Sequence, residues 1–524
     1  MREGKLWLSL FLAASMLGTA ACGSSSGGGS VNTDAESAGG SAQETTQESD
    51  TSVSVPEDDM NEHVNLTMYL LDSACPREQA CIDEINMLLE KDLNCSLTVY
   101  HISSVDSSSQ YQLLFSSGED FDMAYAGTWM SFASMVQKGA FMPLEDLLPV
   151  YCADAMKVEP QEALDQATIN GHIYAFPSNF YTYNAYGFCV RGDIMDRYGV
   201  SEIKDYEDYM NLCEKVHADD TSFTDVAGVG TNEVFGDIYL ESHGLYPLNG
   251  GQYGMYYLDR SEEGSPKVIA AHEWDGYEEY LEKAKKWCDD GMWPQSVLSA
   301  TDGTADLIKS GASIGGLANF DQAQSYYAQV DKSWDLRWYN VQTELNHLPF
   351  TQDAMVLPAT CPHPARALKV INKIRTDEQY YMLFAYGVEG VDYKLDENNR
   401  VTMLNPKEHW AEDGTWGMRT NEFFKVPADG RPDYEETKAG LEEKTVPNIW
   451  RSFNMNTDPV KTEYAAMQDV YSQYNAPLRL GITSDVKGDL KQLSDKAAAA
   501  GNDKVRAELQ EQVDEFYEAH KDEQ

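Results

Sequence analysis

The sequence predicts an α/β fold, and three consecutive stretches carry the prediction. "VNLTMYLL", residues 64 to 71, is a short β-rich run. "CIDEINMLLEKDLN" sets Ile82, Ile85, Leu88 and Leu89 at helical spacing, and "CSLTVYHI" is a second β-rich run. Strand, helix, strand is a βαβ unit, which calls for a parallel sheet covered by helices.

What stands ahead of that unit is a leader. Arg2 and Lys5 precede an apolar run of about a dozen residues, Leu6 to Leu17, followed by the small residues Gly18 to Ala21. The run is shorter than the roughly 20 residues that span a bilayer, so residues 1–21 read as a cleaved secretory signal. Thr19-Ala20-Ala21-Cys22 resembles a bacterial lipobox, with Thr19 where leucine is usual. That resemblance implies acylation of Cys22 and anchorage to the outer face of the cell membrane, against a plain secreted protein in which Cys22 is incidental. Residues 22–62 continue with Gly, Ser, Thr, Asp, Glu and Gln, a composition too poor in large apolar residues to offset the entropy of ordering. They read as a flexible tether.

After the first βαβ unit the pattern repeats. "QLLFSSGEDFDMAYAGTW" reads as a helix ending at Gly118 and a strand from Phe121 to Ala126. "GHIYAFPSNFYTYNAYGFCVR" is a glycine turn followed by extended, aromatic-rich chain. "DGYEEYLEKAKKWCDDGMW" reads as a helix with Asp275 as cap and Gly291 as stop. "PARALKVINKI" puts Leu368, Ile371 and Ile374 on one helical face, and the C-terminal helix turns Val505, Leu509, Val513 and Phe516 inward.

Composition narrows the function. About 460 residues follow the tether, too many for one ordinary core, so two lobes are expected. Asp plus Glu total 86 against 39 Lys plus Arg, a formal net charge of -47. Such a chain repels nucleic acid and anionic lipid and favours neutral or cationic ligands. Beyond Cys22, the cysteines Cys75, Cys81, Cys95, Cys152, Cys189, Cys213, Cys288 and Cys361 show neither a C-x-x-C pair nor zinc spacing. A disulfide from Cys75 to Cys81 or Cys95 and buried free thiols are both open.

Several catalytic motifs fail on context. "GASIG", residues 311 to 315, matches G-x-S-x-G, but a helix precedes it and a strand follows, the reverse of a nucleophile elbow around Ser313. "HEWDG" at His272 lacks the second histidine of a zinc site. Cys361 and His363 are too isolated to hold a metal. "DENNR" from Asp396 lacks the glycine and distal Glu of a calcium loop and reads as a hairpin turn. No metal or cofactor is implied.

Six stretches, in order along nearly the whole chain, resemble the extracellular solute-binding lipoproteins of ABC importers, in particular the large oligosaccharide-type group. They are "SSGEDFDMAYAGTW", "INGHIYAFPS", "GFCVRGDIMDRYGV", "LIKSGASIGGLANF", "HPARALKVINKIRTDEQYYMLFAYGVEGVDYKL" and "GNDKVRAELQEQVDEF". "APLRLGITSDVKGDLKQLSDKAAAAG", before the last helix, departs from that group. The resemblance implies a two-lobed periplasmic-binding-protein-like fold of type II, hinged around an interlobe cleft. It implies lobe one from 63–178 plus 348–388 and lobe two from 179–347 plus 389–524. It further implies a monomeric receptor, not an enzyme, that delivers an oligosaccharide to the transmembrane subunits of an ABC permease.

Residue chemistry agrees. Ligands of open α/β sheets bind beyond the carboxyl ends of the strands. The chain has 31 Tyr and 10 Trp, side chains that cover the apolar face of a sugar ring at little entropy cost. Candidate stackers follow strand ends: Trp129, Tyr181, Tyr183 and Phe320, with Trp416 in "DGTWGMRTN". Asp72 and Asn319 are the candidate polar partners for hydroxyls. A surface glycoside hydrolase, with two carboxylates flanking a subsite, is the alternative from another class. A binding protein for a peptide or other solute is the alternative within the same class.

Overall fold

A computed structural model describes residues 57–523 apart from 72–73, 103–106, 231–234, 249–253, 343, 407, 410–414 and 454. The leader, Cys22 and most of the tether therefore lie outside the described residues, as does Asp72. The strands Val64–Leu71 and Cys95–Ile102 pair in parallel along their whole length, with the helix Glu78–Leu93 between them. Val64, Leu66, Met68 and Leu70 are buried at every second position, the period of a strand with one face on the core. Met123–Ala126 pairs in parallel with the other side of Val64–Leu71. It begins two residues later than the apolar run because the Asp122 carboxylate accepts the Thr67 N–H at 2.8 Å, where a strand carbonyl would otherwise do so. Ala354–Val356 and Phe176–Pro177 complete this first sheet in antiparallel fashion.

The parallel arrangement stops there. The second sheet has Tyr186–Arg191 at its centre, with Gly315–Asn319 and Leu336–Asn340 antiparallel on either side. A meander of Leu245–Pro247, Tyr256–Asp259 and Lys267–Ala270 lies in the same half. Each half has its own apolar core. Leu66, Met123, Met355 and Ile371 belong to the first, and Phe188, Tyr209, Leu281 and Leu509 to the second. Tyr393, Val401 and Met418 are buried in the first core. The hairpin Tyr393–Leu395 with Val401–Met403, turning through 396–400, holds the first two there.

Local signals read from sequence mostly hold, with one correction. The helix Tyr277–Asp289 is preceded by Gly276 rather than capped by Asp275, and Gly291 stops it with φ at 85°. Ser313 is fully buried between the helix Thr304–Ser310 and the strand Gly315–Asn319, so it faces no substrate. Cys81, Cys95, Cys152, Cys189, Cys213, Cys288 and Cys361 are all buried thiols. Among the described residues no helix is long and apolar enough to cross a membrane.

Three segments carry the chain between the halves, and a polar network braces them. Asn184 N–H donates to the Asn346 carbonyl at 3.0 Å and Leu348 N–H to the Thr182 carbonyl at 2.8 Å, joining the first two crossings. Asn421 N–H donates to Asn179 Oδ1 at 3.0 Å and Asn179 Nδ2 to Glu422 at 3.0 Å, joining the first to the third. Behind them the fully buried Arg375 pairs with the buried Glu159 at 2.8 Å and donates to the Pro177 carbonyl at 2.7 Å. Its guanidinium lies 5.0 Å from the Phe176 ring. The first crossing thus leaves the first sheet from a fixed point.

Candidate functional site

A cleft of about 1770 Å³ opens between the two halves. Its wall from the first sheet is built at strand ends. Tyr125 lies one residue from the end of Met123–Ala126, and the next turn presents Trp129, 44% exposed. The Trp129 indole N–H donates to the Tyr125 hydroxyl and to the Gln352 carbonyl, each at 3.1 Å, so the ring is held at its edge with its face open. Gly127 makes this approach feasible. A Cβ there would stand 2.3 Å from the Gln352 carbonyl oxygen and 2.7 Å from Trp129 Nε1. Trp416 lies edge-on to Tyr125 at 6.3 Å and lines the same wall.

Carboxylates sit beside these rings. The Tyr125 hydroxyl donates to Asp353 at 2.5 Å. Burial pushes the Asp353 carboxyl up from its usual range, while the Arg419 guanidinium and the Tyr125 hydroxyl pull it back. From the other half, Asp321 faces the cleft on the first turn of the helix Phe320–Gln329. Burial raises it too, opposed by Arg419 and Lys438. Arg419 is thus coupled to one carboxylate from each wall. Asn319 lines the cleft and also caps that helix. Its side chain accepts the Gln322 N–H at 2.8 Å, and Gln322 Oε1 accepts the Asn319 N–H at 3.0 Å.

Of the residues singled out in the sequence, Trp129, Asn319 and Trp416 come together on the cleft walls. Tyr181 and Tyr183 do not. The chain through 180–186 is extended, so alternate side chains face opposite ways, and Phe180, Thr182, Asn184 and Tyr186 take the cleft side. Tyr181 instead packs on His347 and Phe350, at 4.7 and 5.0 Å between ring centroids. Tyr183 is buried, its hydroxyl donating to Glu442 at 2.6 Å. Phe320 is also a core residue, 2% exposed and stacked on Tyr434 at 4.8 Å, because the first residue of its helix turns back under the sheet. Asp353, Asp321, Arg419 and Tyr186 are cleft residues the sequence did not mark. Only the parity of the 180–186 segment had a readable signal, since its alternation was visible without its direction.

Deeper in the cleft, Glu241 accepts a hydrogen bond from Gln342 Nε2 at 2.5 Å. Burial pushes its carboxyl up to about 7, the Gln342 amide pulling it back and the nearby Asp237 and Glu344 charges adding to the rise. The folded protein therefore keeps this proton to about pH 7, whereas the unfolded chain releases it near 4.5. Between those values the unfolded state binds fewer protons, so stability falls as pH rises across the window. Glu241→Gln should flatten that part of the curve, as read by urea midpoints between pH 4.5 and 7.5. An unchanged slope would show that Glu241 ionises normally.

Together the walls offer flat apolar faces with carboxylates, amides and the Arg419 guanidinium around them. That set covers ring C–H faces and pairs with hydroxyl groups. Residues 89–391 match the family described as bacterial extracellular solute-binding protein, and residues 450–518 match a domain of unknown function. A "carbohydrate ABC transporter substrate-binding protein" of Streptococcus pneumoniae is 23% identical over 462 residues, 86% of this chain and 90% of that one. The N-glycan transport solute-binding protein of the same species, solved with Man1GlcNAc, superposes with a TM-score of 0.72 at 19% identity, covering 87% of this chain and 100% of that one. It has also been solved with Man5GlcNAc, at a TM-score of 0.70. A solute-binding protein of Bifidobacterium longum infantis described as binding HMO gives 0.60 at 14% identity, covering 87% and 99%. These likenesses establish a shared two-lobed fold.

Proposed function

The chain belongs to the bacterial extracellular solute-binding proteins, and from that membership we propose that it captures an oligosaccharide in the cleft and delivers it to the permease of an ABC importer. The family acts outside the cytoplasm and binds solutes rather than turning them over, so the glycoside-hydrolase alternative falls away. The observation that carries the sugar reading is the edge-tethered Trp129 beside Asp353 on one wall, with Asp321 and Asn319 on the other. An aromatic plate needs only a ring face, and the flanking carboxylates and amide accept or donate to hydroxyls. Trp129, Trp416 and Asn319 are the proposed ligand contacts from the sequence reading, joined by Asp321, Asp353 and Arg419. The relatives named above are glycan and carbohydrate binders, which supports the same choice.

Calorimetric titration with Man1GlcNAc and Man5GlcNAc, alongside thermal melts, tests the reading. Ligand at 100 times its Kd should add about 2.7 kcal/mol of stability. Stabilisation by a peptide pool, with none from either glycan or a wider neutral glycan set, would assign the cleft to another solute.

Two finer readings accompany this one. Lobe one is 63–178 with 348–388 and lobe two 179–347 with 389–524, a division supported by the separate cores, although Tyr393, Val401 and Met418 pack with the first. Cys22 carries the lipid that holds a monomeric receptor at the membrane, supported by the order of signal, cysteine and spacer. Wild-type protein should partition with membranes and Cys22→Ser should release it or leave it unprocessed. Finding the wild type free in the medium without an acyl group would remove the anchor.

A further inference from the structure

Side chains between Trp450 and Gln468, at the start of the stretch 450–518 that matches a domain of unknown function, line the cleft, and the same stretch contributes to the second core. The helix Lys461–Val470 shows both roles in its periodicity. Lys461, Tyr464, Ala465 and Gln468, spaced i, i+3, i+4 and i+7, all line the cleft. Met467, on the opposite side, is fully buried in the core. Ahead of the helix, Trp450 and Phe453 continue the wall, and Trp450 is braced by Phe516 at 5.5 Å from the C-terminal helix Asn502–His520. The adjoining Arg451 pairs with Glu162, on the helix Gln161–Gln166 of the first half.

We propose, building on the oligosaccharide reading above, that the 450–518 segment supplies a distal subsite for the outer units of an extended glycan. A cleft of about 1770 Å³ exceeds the roughly 300–1,000 Å³ of a site for one small ligand, so it has room beyond the Trp129 platform. The helix stripe puts a tyrosine ring between an ammonium and an amide, the donor, acceptor and ring-face set that a neutral sugar needs. The predicted consequence is discrimination by chain length. A short ligand occupies the Trp129 platform alone, and a long one also meets the stripe.

The test is titration of Man1GlcNAc and Man5GlcNAc against wild type, Tyr464→Ala and Ala465→Trp. Tyr464 is half-buried, so its variant risks a folding defect, while Ala465 is exposed and its replacement fills the subsite without touching the core. Both variants should lose about tenfold or more in affinity for Man5GlcNAc and stay within about twofold for Man1GlcNAc. Equal losses on both glycans, or none on the longer one, would overturn the distal subsite while leaving the oligosaccharide reading intact. Failure of the wild type to bind either glycan would overturn both.

Discussion

Arg375→Ala is expected to cost the fold about 3 to 5 kcal/mol, the largest single-residue loss predicted for this chain. Arg375 and Glu159 are both fully buried and 2.8 Å apart. Removing the cation leaves a carboxylate in the core and strips the Pro177 carbonyl of the 2.7 Å bond it accepts. It also removes a guanidinium stacked 5.0 Å from Phe176. The loss has a pH signature. Burial already raises Glu159 to about 7, and Arg375 is the group pulling it down. Without that pull the folded-state value climbs further above the unfolded 4.5, so the variant's deficit should grow as pH rises through neutrality. Urea unfolding at pH 5, 7 and 8.5 reads both effects. A deficit under about 1 kcal/mol, or one that shrinks with pH, would show that the pair contributes little. Glu159→Gln, which keeps the shape and removes the charge, should cost less than Arg375→Ala.

Trp129→Ala should produce the opposite profile, a large loss of affinity with little loss of fold. The ring is 44% exposed and tethered through its indole N–H, so the unliganded fold gives up little on truncation. A ligand resting on the open face gives up a stacking surface worth about 1 to 3 kcal/mol by analogy with base–aromatic stacking. That is roughly 5-fold to 150-fold in Kd. Trp129→Phe should recover part of the affinity, since it keeps a face while losing the indole N–H bonds to Tyr125 and Gln352. Calorimetry and melts on the two variants separate the roles. A large drop in melting temperature with affinity unchanged would make Trp129 a structural residue and move the ligand elsewhere in the cleft.

The residues recovered from sequence share a property that explains the recovery. Trp129 follows and Asn319 ends a short apolar strand, and a strand end is recognisable from local pattern. Trp416 was legible as an aromatic in a polar turn, and the structure seats it against Tyr125. Tyr181, Tyr183 and Phe320 had the same local credentials and were misplaced by a single position each. Facing in an extended segment flips with every residue, and only the packing of the crossing against 346–348 chooses between Phe180, Thr182, Asn184 and Tyr186 and their neighbours. The attachment of the chain after residue 388 is illegible in local pattern for a related reason. Its hairpin is locally clear, but its attachment depends on where Tyr393, Val401 and Met418 find an apolar surface.

By itself the sequence determined the class, the elements and the chemical kind of site. Those follow from periodicities of two and of about 3.6 residues, from turn chemistry and from an acidic composition rich in Tyr and Trp, all of which act within a few residues. The tertiary structure alone decided the antiparallel second sheet, the facing of the 180–186 crossing and the meeting of Asp321, Arg419 and Asp353. It also decided that side chains between Trp450 and Gln468, distant in sequence from the Trp129 wall, line the same cleft. The physical reason is common to all four. Each depends on contacts between segments tens to hundreds of residues apart, whose loop-closure entropy is offset only once two complete cores have formed.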